Sequence, residues 1–108
     1  MIVVTGRIES TDELRERLVR AARTMCEASR GDAGCRGYRF YEDTEQPNRF
    51  LFLEEWDSDE DLQSHFAQPH TGEFMAAIAD LMSGRPDVLF HTIATTRTLG
   101  RDGLVEVE

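Results

Sequence analysis

Two histidines five residues apart, His65 and His70, are the sequence's strongest candidates for chemistry. A neutral imidazole titrates near working pH, so either one can act as a general base. A helix-surface histidine and a turn histidine are the plain structural alternatives. Their spacing is not the i, i+4 of a helical metal pair. No third ligand is identifiable, so no metal is expected. His91 lies apart. Glu54 alternates with Phe52 and Trp56. A carboxylate held among aromatics has a raised pKa and can move protons; pairing with Arg39 across a hairpin is its structural alternative. Trp56, Phe52 and Phe66 are candidate walls for a flat substrate, and a tryptophan at a strand end is equally suited to the core. Tyr38 is a further candidate binding residue, with Tyr41 on the opposite strand face; packing is the plain use of both. Cys26 and Cys35 form no CxxC or zinc set and read as reduced thiols. The sequence has no GxGxxG, P-loop or nucleophile elbow, so no cofactor is expected.

These residues need a frame. Residues 2–8 read as a first strand, with β-branched residues at most positions. Ser10 and Glu13 have the spacing of a capping box. Leu14, Leu18, Ala21, Ala22, Met25 and Ala28 then recur at the period of one helix face. Gly31 and Gly34 punctuate its end. Residues 35–42 and 50–56 read as strands joined by a polar turn, hence a hairpin. Ser58 opens a second helix with acids in its first turn. Pro69 and Gly72 interrupt that helix, and the helical period resumes at Phe74, Ile78, Leu81 and Met82. Residues 88–98 read as a fourth strand. Residues 1–99 therefore form one domain, and residues 100–108 a tail. Leu104, Val105 and Val107 suit that tail either to lie along a partner's sheet edge or to be disordered.

The order β-α-β-β-α-β specifies an α+β, ferredoxin-like domain with a four-stranded antiparallel sheet. Two helices cover one face of such a sheet. Leu51, Leu53, Leu89 and Ile93 then fall on the other face, an apolar patch that predicts a homodimer packed sheet to sheet.

Composition narrows the partners. The 108 residues carry a net charge of −9, and all 12 basic residues are arginine. An acidic surface disfavours nucleic acid and anionic membranes. No apolar run approaches the roughly 20 residues of a membrane span. The N-terminus lacks the marks of an export signal, so a cytoplasmic location is expected.

Gly34-Cys35-x-x-Tyr38, Phe52-Leu53-Glu54-Glu55-Trp56, Leu62-x-x-His65-x-x-x-x-His70 and Phe74 together resemble the antibiotic biosynthesis monooxygenase family. The resemblance spans about residues 2–99 and implies a dimeric α/β barrel. That family includes cofactor-free quinol monooxygenases, an isomerase and heme-degrading enzymes. Trp56 matches the tryptophan of its polyketide-oxidising members. Phe52 and Leu62 stand where those carry asparagine and tyrosine. At the heme-degrading positions stand Gly6 or Arg7, His65 and Ile78, which argues against heme. The resemblance implies a cofactor-independent monooxygenase acting on a small quinol or electron-rich aromatic. His65 or His70 would be its base, and Trp56, Phe52, Phe66, Tyr38 and Glu54 would contact substrate. A non-catalytic binding or sensing dimer, or an isomerase using the same pocket, is the alternative.

Overall fold

The computed structural model of the chain describes residues 1–107. Strand β1 (Ile2–Glu9) leads into helix α1 (Arg15–Ser29), and the hairpin of β2 (Cys35–Glu42) and β3 (Arg49–Trp56) follows. Next come α2 (Asp59–Phe66), α3 (Pro69–Ile78), β4 (Asp87–Thr92), β5 (Arg97–Gly100) and β6 (Gly103–Glu106). Four strands form one antiparallel sheet in the order β2-β3-β1-β4. This is the expected ferredoxin-like domain. No helix among the described residues is long and apolar enough to cross a membrane.

Register sorts the faces. Ile2, Val4, Gly6 and Ile8 sit opposite Trp56, Glu54, Phe52 and Phe50. Because side chains alternate, this whole set points to the helices. Ile2, Val4, Ile8, Phe50, Phe52 and Trp56 are buried there against Leu18, Ala22 and Met25 of α1, Leu62 of α2 and Phe74 and Ile78 of α3. On the other face Leu51 and Leu53 are half-buried, while Tyr41 and Leu89 are exposed.

Two local expectations are corrected. Ser10 does not cap α1. Its hydroxyl donates to the Leu81 carbonyl at 2.7 Å, tying the end of β1 to the segment after α3, and the helix starts later, after Leu14. Thr11 stands in at the helix entry, its carbonyl accepting from Leu14 and Arg15 at 3.1 and 2.8 Å. The expected fourth strand ends at Thr92 rather than running to residue 98. Beyond it, Arg97–Gly100 pairs with Gly103–Glu106, so the expected boundary after residue 99 falls inside a hairpin. Gly103 at φ 128° supplies a backbone conformation at that turn which favours glycine. By contrast, Ser58 caps α2 as expected, accepting from the Asp61 amide at 3.2 Å.

Candidate functional site

A cavity of about 420 Å³ lies between the sheet and the α2–α3 pair. Gly6, Phe52 and Glu54 form its floor, and Phe74 and His65 enter from the helices. Phe66 and Phe90 stand at its mouth, 46% and 54% exposed, with rings edge to face at 6.0 Å. A groove of about 450 Å³ between α1 and β2 is lined by Arg15, Arg23, Arg30 and Arg39. It is more open and polar. The aromatic cavity is the better candidate because its walls are mostly apolar and hold two buried proton-carrying side chains, Glu54 and His65.

The first is Glu54. Its backbone position in a central strand forces the side chain onto the helix-facing side, among Tyr38, Phe52 and Trp56. Trp56 Nε1 donates to Glu54 Oε1 at 3.0 Å. Burial pushes the carboxyl up to about 7, against the opposing pull of the Trp56 and Tyr38 donors. The expected partner Arg39 sits opposite Leu53, on the other face, and cannot serve. Tyr38 is itself buried, and its phenol is pushed up by burial and by the Glu54 charge, so it stays protonated.

The second is His65, in the last turn of α2. It is 2% exposed, with its ring 4.6 Å from that of Trp56 and 5.5 Å from that of Tyr38. Its Nδ1 lies 2.7 Å from Asp32 Oδ2. Burial holds the imidazole below its ordinary pKa although Asp32 pulls the other way. The ring is therefore neutral at pH 7. With Nδ1–H donated to the carboxylate, Nε2 is left as an acceptor.

Asp32 was not among the residues singled out from sequence. It sits in the loop between α1 and β2, where Gly34 at φ 77° turns the chain back toward the sheet. The loop is pinned by the Asp32 amide on the Ser29 carbonyl and by the Cys35 amide on the Asp32 carbonyl, at 3.0 and 3.2 Å. The same Oδ2 meets His70 Nε2 at 2.8 Å. Pro69 starts α3 at its first helical position, which a proline suits. Thr71 donates to the His65 carbonyl at 2.7 Å and fixes the junction. The helical break thus brings both histidines to one carboxylate. The three ligand atoms lie within 4.8 Å of one another.

The expected site residues separate accordingly. Tyr38, Phe52, Glu54, His65 and Phe66 meet at the cavity. Trp56 is placed behind it, fully buried, holding Glu54 and the His65 ring from the core side. His70 joins Asp32 but does not line the cavity. Both cysteines are free thiols, and burial pushes each upward.

A family model described as antibiotic biosynthesis monooxygenase matches residues 1–77. An uncharacterized protein of Synechocystis sp. is 37% identical over 98 residues, 91% of this chain and 67% of that protein. YcnE of Bacillus subtilis, named provisionally as a monooxygenase, is 29% identical over 89 residues, 82% of this chain and 94% of its own length. A structure from Deinococcus radiodurans superposes with a TM-score of 0.82 at 24% identity, covering 87% of this chain and 93% of that one. One from Nitrosomonas europaea gives 0.82 at 19%, covering 87% and 99%. At these identities the two structures establish the fold.

Proposed function

The chain belongs to the antibiotic biosynthesis monooxygenase family, and on that premise we propose that it is a cofactor-independent monooxygenase oxidising a small quinol or electron-rich aromatic with dioxygen. The observation that carries the reading is the convergence of Glu54 and His65 on one aromatic cavity. A general base works best with a pKa near the operating pH, and Glu54 at about 7 meets that condition. Ionised Glu54 takes the proton of one substrate hydroxyl. Neutral His65, held by Asp32, accepts a hydrogen bond from the other. The resulting anion is a strong one-electron donor to dioxygen. One oxygen atom enters the product and the other leaves as water; all four electrons come from the substrate, which ends as a hydroxylated quinone. The proton held by Glu54 passes to the water with a second one from the substrate, restoring the carboxylate. Phe52, Phe66 and Phe74 supply flat contacts and keep the anion from bulk water.

The working unit is a homodimer packed through the face bearing Leu51, Leu53 and Leu89. The half-buried and exposed aliphatics of that face support this. The β5–β6 hairpin, with Leu99 82% and Leu104 62% exposed, extends the apolar surface available to a second copy.

Oxygen uptake by chelator-treated protein with a panel of benzo- and naphthoquinols tests the reading. Turnover above the spontaneous rate, reduced about 100-fold or more in Glu54→Gln, is the expected result. Absence of protein-dependent uptake across the panel, or an unchanged rate in Glu54→Gln, refutes it.

A further inference from the structure

We propose that Asp32, His65 and His70 form a binding site for one divalent transition-metal ion, of the zinc or cobalt type, a proposal that shares His65 with the oxygenase reading but does not rest on it. A single carboxylate oxygen faces two imidazoles, at 2.7 Å from His65 Nδ1 and 2.8 Å from His70 Nε2. Both ring nitrogens must then carry hydrogens aimed at the same point. That convergence is also what a metal requires, with lone pairs in place of the hydrogens.

Binding one ion calls for the two imidazole nitrogens, which lie within 4.8 Å of each other, to close up and for the carboxylate oxygen between them to draw back. A tetrahedral ion with bonds near 2.1 Å separates its ligand atoms by about 3.4 Å. The carboxylate oxygen must therefore withdraw by about 0.6 Å from each imidazole. Two imidazoles and one carboxylate suit zinc or cobalt. Magnesium and calcium demand six or more oxygens and are disfavoured. Three protein ligands leave a fourth position for water.

The surroundings fix His65 and Asp32, and the partly exposed His70 is the member that can swing in. His65 is wedged against Trp56 and Tyr38, its carbonyl is tied to Thr71, and Asp32 belongs to a loop closed by backbone bonds. Side-chain exposures of 23% for His70 and 11% for Asp32 give an ion a route in. The net charge of −9 favours cations at the surface.

Coordination has a consequence for the cavity. For His65 Nδ1 to offer a lone pair, its hydrogen moves to Nε2. The free nitrogen of His65 then turns from acceptor to donor. Metal loading therefore reverses the polarity of the histidine lining the cavity.

The test uses the full chain stripped with a chelator. Titration with Co(II) should give visible d–d bands that saturate at one ion per protomer, and Zn(II) should displace them. Half-saturation is expected at about 1 μM or below. His70→Ala and Asp32→Asn should each weaken binding about tenfold or more. His91→Ala, at an exposed position on β4, should bind as the wild type does. His70 carries no core packing, so its variant gives a folded comparison even where Asp32→Asn loosens the loop. No saturable binding up to about 1 mM, or equal affinity in wild type and His70→Ala, overturns the proposal. Neither result bears on oxygen uptake, so the two readings fail separately.

Discussion

Replacing Glu54 by glutamine should reshape how stability depends on pH. The carboxyl moves from an ordinary 4.5 to about 7 in the folded chain, chiefly because burial penalises its charge. About 2.5 pH units at about 1.4 kcal/mol each amount to roughly 3 kcal/mol. The sign follows from which state binds more protons. Below about pH 4.5 the group is protonated whether the chain is folded or not, and no penalty applies. As pH rises, the unfolded chain ionises first while the folded chain holds its proton, so stability falls until the folded group ionises near 7. Glu54→Gln removes the titration and keeps an oxygen for Trp56 Nε1. The stability of the variant relative to wild type should therefore rise by about 3 kcal/mol between about pH 4 and pH 8. Urea unfolding at fixed protomer concentration measures it, with the fluorescence of Trp56, the single tryptophan, as the signal. A difference constant within about 0.5 kcal/mol across that range would show that Glu54 is not the buried acid described here.

Three other perturbations follow. Gly6→Val should fold, because a Cβ there meets Phe52 Cβ at 3.5 Å and Val88 Cγ2 at 4.0 Å, ordinary contacts. The added methyls enter the cavity floor, so aromatic ligands should bind about tenfold or more weakly by titration calorimetry; unchanged binding would place the ligand elsewhere. Leu53→Arg puts a charge at the centre of the proposed dimer face, and sedimentation at micromolar protein should show monomer. An intact dimer would mean the face is not the interface. Removing the chain from Arg97 onward takes away a hairpin that pairs with itself, so the protomer should stay folded while dimerisation weakens. Identical sedimentation of full and shortened chains would deny the hairpin that role.

The amphipathic period from Leu14 to Ala28, the alternation from Phe50 to Trp56 and the capping residue Ser58 are local signals, and each element they announced is present. Alternation alone also places Glu54 with Phe52 and Trp56. Local signals say nothing about partners far along the chain. Ser10 has the spacing of a cap, yet its hydroxyl serves Leu81, 71 residues away. Trp56 reads equally well as a wall or as core, and only the docking of α2 decides for core. Arg39 and Glu54 look like a cross-hairpin pair until the register sets them on opposite faces. Asp32 carried no signal beyond being an acid in a glycine-flanked loop. Its meeting with His65 and His70 joins residues 33 and 38 positions apart, brought together by the turn at Gly34 and the helix break at Pro69. Periodicity and capping are properties of neighbouring residues, so the sequence alone determined the elements and their faces. A carboxylate shared by two imidazoles depends on how finished elements pack, and only the tertiary structure decided it.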